Sequence, residues 1–395
     1  MAAVITGIGA RTPLGCSYEE CMDTLRQGTL CIDDIQNFKT DGYEMKAAGE
    51  IRSCGRVVHT GSGIDRKVYF FEQALGELDA KTAFSKRYKA DELVLNVGGG
   101  VDYFDIDNYA RTKDISSAHF RMNADMQELC RKWNIGAGCH LFSSACTASA
   151  QAIGLSLRML RKHTAGAVVT GGADSMISPV NFLGFFKLGA LSMSDDPSPY
   201  KCKPMDLKAS GTVLGEASVA VMLEDSSRVP ADVPVLAELC GYGCSMDAFA
   251  VTEPEPTGEQ AARAVAAALE DAGISADQID CIHLHGTGTP KCAPAEYNCL
   301  YSIFGDRLAD IPVYSMKGQV GHMIGSCTSV ELMGIIHSLE HQEVLPTVNF
   351  TTPNPKAPFH VVTGEPLKMP IRYILKLNSA FGGHNTALIF KKWER

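Results

Sequence analysis

Four short stretches carry residue types that could do nucleophilic chemistry. Cys146 lies in FSSACTASAQAIGLSLRML (142–160), with Ser, Ala and Thr on both sides. Ile153, Leu157 and Leu160 recur three or four apart, as on one apolar helix face, and GCHLFSS before them reads as a short strand. Cys146 is therefore expected on a strand-to-helix turn, where a helix N-terminus favours thiolate over thiol. Most free cysteines are only small buried hydrophobes, so a nucleophile needs a base from elsewhere. His285 opens HGTGTP, His322 closes KGQVGH behind Lys317, Glu331 follows nine residues later, and NSAFGG spans 378–383. Taken singly, each histidine is more often a satisfied structural group. Together these residues supply a thiol, two imidazoles, a lysine and glycine turns able to aim backbone N–H groups. Those are the parts for nucleophilic acyl transfer with an oxyanion hole.

The rest of the chain sets bounds on that chemistry. Its 395 residues are 45% hydrophobic and 21% charged, as in an ordinary globular protein. A formal charge of −9 argues against nucleic acid or an anionic membrane as the main partner. RMLRKH (158–163) and KCK (201–203) are the candidate basic patches. None of the fourteen cysteines forms CxxC or a zinc spacing, and Cys130, Cys240 and Cys281 lie in apolar stretches. This suits reduced thiols and no metal. MAAVITGIGARTPLG lacks the charged head of a signal peptide, and no apolar run approaches the roughly 18 residues of a membrane span. A cytoplasmic, soluble protein is expected.

The elements that must position the site read as two halves. Strands are expected to end in glycine turns at Gly98 and Gly171, and again at Gly286 and Gly382. SSRVPADVP (226–234) is the one internal linker, dividing residues 1–228 from 229–395. Glu259–Ala272 predicts a helix stopped by Gly273, Phe182–Leu191 reads as an apolar loop, and Asp102–Trp133 has no clean period. Gly7-Ile8-Gly9 is too partial a glycine pattern to mark a dinucleotide site. Strands alternating with helices indicate an α/β protein with mostly parallel sheets, its site gathered at the strands' carboxyl ends.

In VITGIGARTPLG, SSACTASAQAIG, AVVTGGADSM, KPMDLKASGTVLGE, HGTGTP, KGQVGHMIGSCTSVE and NSAFGGHN, taken in that order, the chain resembles the elongating β-ketoacyl–acyl-carrier-protein synthases nearly end to end. The resemblance implies a thiolase-like duplicated fold in five layers, αβαβα, with mostly parallel mixed sheets. It implies decarboxylative condensation of an acyl thioester with a malonyl unit, in fatty acid or type II polyketide (aryl polyene-like) synthesis. Cys146 then matches the acyl-accepting nucleophile, and His285 and His322 its two histidines. Lys317 and Glu331 match a charged pair that orders the second histidine, and Phe381 a gating residue whose N–H joins that of Cys146 in the oxyanion hole. Thr252, Thr287 and Thr289 match the lining of the phosphopantetheine arm, and Gly98 is expected to leave space for a long acyl chain. Closure of that space by Tyr103 and Phe104, or a glycine run that only serves a backbone turn, stays open as the alternative. Substrates would ride on an acyl carrier protein without a separate cofactor. The assembly would be a homodimer, or a heterodimer with a ketosynthase-like subunit.

Some residues depart from the family pattern. Lys291, Cys292 and Ala293 replace a usual glycine and aspartate, although Glu296 is kept; His384 stands where threonine is common; and the segment with Arg121 and Asp125 is short. Two other readings remain open. A chain-length-factor-like partner would share the fold without catalysis, but such partners usually lack the cysteine. A coenzyme A-dependent thiolase would need a second active cysteine, and Cys327 lies near the site outside that motif.

Overall fold

The structure, a computed structural model, describes residues 2–56, 58–59, 63–100 and 103–394. Asp102 and the side chain of Tyr103 lie outside the described residues. Two sets of five strands repeat one pairing order. In the first set it is Gly138–Phe142, Leu93–Gly99, Ala167–Ser175, Leu214–Asp225, Ala3–Arg11. In the second it is Pro312–Tyr314, Cys281–His283, Tyr373–Ser379, His384–Lys391, Ala237–Met246. Within each set two parallel pairings are followed by two antiparallel ones. The sets join where Ala3 to Ile5 pair antiparallel with Leu239 to Ala237.

Helices complete the layers. Ala148–Arg161 touches Leu93–Gly99 and Ala167–Ser175 on one side, and Ala237–Met246 and His384–Lys391 on the other. Cys327–His341 lies beside it in the middle, while Arg66–Thr82 and Glu259–Ala272 cover the outer faces. The expected αβαβα layering follows. Ile153, Leu157 and Leu160 meet Leu332, Ile335 and Ile336 in the central core. Phe71, Leu75 and Leu78 fill one outer core, and Val265, Ala268 and Leu269 the other. Each such side chain contributes roughly 1.5–3 kcal/mol by leaving water. Cys327 to Leu339 are buried without a break, so that helix has no solvent face.

Several expectations are corrected. Gly171 lies inside Ala167–Ser175 and does not end it. Phe182–Leu191 is mostly the end of a helix, Pro179–Lys187, whose Ser178 cap accepts from the Asn181 N–H; the apolar run concealed that start. Met122–Lys132, within the stretch without a clean period, is a helix. Cys16 and Cys54 form a disulfide, and the other twelve cysteines are free, so not every thiol is reduced. The chain fold brings these two together from 38 residues apart, which spacing alone does not reveal. In the candidate basic patches, Arg161 pairs with Asp271 and Lys203 with Asp196. Among the described residues no helix is long and apolar enough to cross a membrane.

Candidate active site

The strand Gly138–Phe142 leads into a single turn, Ala145–Thr147, and then into the helix Ala148–Arg161. Ala145 takes φ +48°, a left-handed conformation costing a non-glycine residue of order 1–3 kcal/mol. Cys146, next in the chain, is 4% exposed and lines a cavity of about 270 Å³. Burial pushes its thiol up to about 12, opposed by the Lys317 ammonium and the backbone N–H groups of Phe381 and Cys146 itself. The free enzyme therefore carries a thiol and not the expected thiolate. Desolvation exceeds what the Lys317 ammonium and those two N–H groups supply.

Two imidazoles meet that sulfur. His322 Nε2 lies 3.0 Å from Cys146 Sγ, and its Nδ1 lies 2.9 Å from Cys327 Sγ. The ring of His285 stands 5.3 Å from that of His322 at 80° to it, with its Nδ1 3.4 Å from Asn378 Nδ2. Burial first, and then the Lys317 ammonium, hold both histidines well below the usual imidazole range. Both are neutral, so each offers one N–H and one lone pair. Cys146, His285 and His322 each place one ligand atom within 4.8 Å of the others, which would also suit a soft metal ion. The ammonium groups of Lys317 and Lys376 close by oppose an added dication.

A buried charge cluster lies behind the rings. Lys317 Nζ pairs with Glu331 and donates to the backbone carbonyl of His285 at 2.6 Å. Lys376 Nζ lies 3.0 Å from the other Glu331 oxygen. Burial would push the Glu331 carboxyl up, but Lys317 and Lys376 outweigh it and hold it well below the usual range. Burial lowers Lys376 to about 8 against the pull of Glu331. The direct contacts of the Lys317–Glu331 pair thus reach His285 and not, as expected, His322. Glu296 accepts from the N–H groups of His285 and Gly286 at 2.6 and 2.9 Å, fixing the HGTGTP turn from below.

Thr252, Thr287, Thr289 and Phe381 line the same cavity as Cys146, His285 and His322. The hydroxyls of Thr287 and Thr289 are 2.9 Å apart, and Phe381 stacks on Phe185 at 6.2 Å. Lys291, one of the departures, pairs with Glu253 at 2.5 Å, and both residues line the cavity. Gly98 does not belong there. A Cβ on it would stand 2.1 Å from the Ser149 nitrogen, so the space expected for an acyl chain holds the backbone of the nucleophile helix. Gly98 allows a strand and a helix to touch. His384 begins the last strand, with the Asn385 side chain beside it engaged by Ser379 and Asp247.

Lys376 and Asn378 join the site without having been expected there, and Cys327, expected near it, meets it through His322. Lys376 sits in an apolar strand, YILKLNS, where a lone lysine is itself a signal, because a fully buried ammonium needs a partner. Asn378 opens NSAFGG, and its type alone assigns it no role. It accepts from Thr328 Oγ1 at 2.9 Å and presents its amide to His285 and Glu331. Nothing in the spacing of Cys327 signals its contact with His322.

Two family models match the chain: the β-ketoacyl synthase N-terminal domain over residues 129–228 and its C-terminal domain over 236–351. A 3-oxoacyl-[acyl-carrier-protein] synthase 2 of Synechocystis sp. is 28% identical over 412 residues, covering 99% of this chain and 98% of its own. A type II PKS acyl-carrier protein in complex with its ketosynthase bound to the hexaketide superposes with TM-score 0.89 at 21% identity, covering 99% of both chains. The ishigamide ketosynthase/chain length factor superposes with TM-score 0.86 at 23% identity, covering 100% of this chain and 99% of that one. The fold agrees with those structures. With the two models together spanning more than half of its length, the chain belongs to the β-ketoacyl synthase family, acyl-transferring enzymes that form carbon–carbon bonds.

Proposed function

We propose that the protein elongates acyl chains by decarboxylative condensation on an acyl carrier protein, in fatty acid or type II polyketide synthesis. The observation that carries this reading is the placement of Cys146 Sγ, 3.0 Å from His322 Nε2, in one cavity with His285 and Phe381. The Cys146 thiol gives its proton to His322 Nε2 as the sulfur attacks the carrier-bound thioester. The tetrahedral oxyanion is held by the N–H groups of Cys146 and Phe381, which already lie against the sulfur. The carrier thiolate leaves and takes that proton back, so acyl-Cys146 and carrier thiol result.

A malonyl thioester then enters past Thr252, Thr287 and Thr289. His285 and His322, neutral, donate N–H hydrogen bonds to its thioester carbonyl. Carbon dioxide leaves, and the electron pair it releases builds an enolate on that oxygen. The enolate carbon attacks acyl-Cys146, the C–S bond breaks, and the product is a β-ketoacyl thioester. The Cys146 thiolate then regains a proton from water. Each donor at a developing oxyanion is worth roughly 3 kcal/mol. Lys317, Glu331 and Asn378 hold His285, while residues 1–228 supply the nucleophile and 229–395 the histidines. No further cofactor is invoked. We place this carrier-dependent reaction in the cytoplasm. The assembly is a homodimer, or a heterodimer like the ketosynthase/chain length factor pair, with Cys146 marking this chain as the catalytic member. A thiolase-like use of Cys327 as a cavity base is disfavoured, because Cys327 faces the opposite edge of the His322 ring from Cys146.

The test follows acyl loading by intact mass and malonyl decarboxylation by carbon dioxide release, in wild type, His285→Ala and His322→Ala. Loading is expected to persist in part in both variants, while decarboxylation falls about 10²–10³-fold. Decarboxylation at the wild-type rate in both variants would overturn the donor roles, whereas a larger loss of loading in His322→Ala than in His285→Ala follows from the part of His322 as base for the Cys146 thiol.

A further inference from the structure

Cys327 is a buried thiol that the reaction described above does not use. It is the first residue of the central helix Cys327–His341 and 1% exposed. Its hydrogen-bond partner among the described residues is His322 Nδ1, at 2.9 Å. On the other edge of the ring, Nε2 lies 3.0 Å from Cys146 Sγ. A neutral imidazole carries a single proton, so what happens at Nδ1 decides what Nε2 offers the cavity. If Cys327 donates its S–H to Nδ1, the ring proton sits on Nε2 and points at the reacting atoms. If Nδ1 instead donates to the sulfur, Nε2 can accept from the Cys146 thiol but cannot stabilise an enolate.

Two features favour the first arrangement. Burial pushes the Cys327 thiol well above its ordinary value, so it keeps its proton and needs an acceptor. A ring nitrogen lone pair is a strong acceptor, whereas a thiol sulfur is a weak one. The other histidine is arranged alike, because Asn378 Nδ2, which can only donate, faces His285 Nδ1 at 3.4 Å. We propose that Cys327 is a positioning residue whose thiol donates to His322 Nδ1 and holds that ring with its proton on Nε2. This inference rests on the condensing reaction proposed above. Loading of Cys146 begins from the other tautomer, reached when Nε2 gives its proton to water, water returns one to Nδ1, and the Cys327 S–H turns away so that Nδ1–H faces its sulfur. Decarboxylation uses the tautomer that Cys327 stabilises.

The experiment compares full-length wild type, Cys327→Ala and Cys327→Ser. Nitrogen-15 shifts of His322 are expected to report the Nε2–H tautomer in wild type and a mixture in Cys327→Ala. With malonyl-pantetheine as the probe, carbon dioxide release by Cys327→Ala is expected to fall about tenfold or more, the sense of a tautomer lost. Acyl loading of Cys146 should fall far less, and Cys327→Ser, which can still donate, should recover most of the loss. An Nδ1–H tautomer in wild type overturns the proposal, as does decarboxylation by Cys327→Ala at the wild-type rate. A folded Cys327→Ser no better than Cys327→Ala also overturns it. A wild-type enzyme that releases no carbon dioxide would instead remove the condensing reaction itself, while the nitrogen shifts would still judge the hydrogen bond.

Discussion

The turn that carries Cys146 and the turn that carries Gly325 share a backbone and differ in content. Each begins with a left-handed residue, Ala145 at φ +48° or Ile324 at φ +42°, and makes one tight turn. Each then enters a central helix from a cap at φ −99°, Thr147 in one case and Ser326 in the other. Cys146 and Gly325 are equivalent positions. At the first, a side chain reaches the cavity. At the second, the Gly325 N–H donates to Asp174 Oδ2 at 2.7 Å, and a Cβ would stand 2.6 Å from the Gly99 carbonyl carbon. The neighbouring strand end accounts for the difference. Beside Gly325 the chain of Leu93–Gly99 closes in, whereas beside Cys146 the chain after Cys281–His283 brings His285. A duplicated backbone makes two such turns, and the side chains arriving from the facing half decide which one is reactive.

The largest effect is expected from emptying the reactive turn. Cys146→Ala should lower condensation by on the order of 10³-fold or more, because a nucleophile has no substitute. The fold should survive with a stability change of about 1 kcal/mol or less, since one sulfur is lost beside a cavity. Product formation measured against melting midpoint separates the two quantities. Condensation near the wild-type rate in a folded variant would end the idea that this turn is the reactive one.

The sequence marks the first of these turns sharply and the second only as a loop within 316–339 that becomes a helix, as found. Small residues around Cys146, followed by apolar residues at helical spacing, announce a strand, a turn and a helix. GHMIGSCTSVE carries no such spacing, because its helix is buried on every side and shows no amphipathic stripe. Cys146, His285 and His322 were legible because reactive types stand beside glycine-rich turns. Lys376 and Cys327 were not, since their roles come from contacts across the fold. Gly98 was misjudged for the same reason: the absence of a side chain reads as space until the helix backbone that fills it is in view. The thiol state of Cys146 failed differently, because motif reading weighs the helix N-terminus and cannot weigh burial.

A smaller effect sharpens the comparison from its packed side. Gly325→Ala places a methyl group 2.6 Å from the Gly99 carbonyl carbon and 2.7 Å from Asp174 Oδ2. Relief requires the strand end or the buried Asp174 to shift, and overpacking of this kind costs about 1–3 kcal/mol. The denaturation midpoint should fall accordingly. A variant as stable as wild type would show that Gly99 yields freely, and the contrast between a packed turn and an open one would lose its basis.

The smallest effect concerns pH and separates the residues that meet at the reactive turn. His285 and His322 are held well below the ordinary imidazole range, first by burial and then by the Lys317 ammonium. In the unfolded chain both titrate near about 6.5. Below that pH the unfolded state takes up protons that the native state refuses, so stability falls as pH drops. Each histidine should contribute about 1.4 kcal/mol of loss between about pH 7.5 and pH 5.5. Asp174, raised to about 6 by burial, acts in the opposite sense, but it is common to every variant compared. His322→Gln should therefore show a shallower fall in stability over that window than wild type. Cys146→Ala should keep the wild-type slope, because its thiol, pushed up to about 12, does not titrate there. Denaturant titrations at the two pH values measure all three proteins. An unchanged slope in His322→Gln would mean that His322 takes up its proton in the native state. The neutral imidazole required at the sulfur would then be absent below pH 6.5.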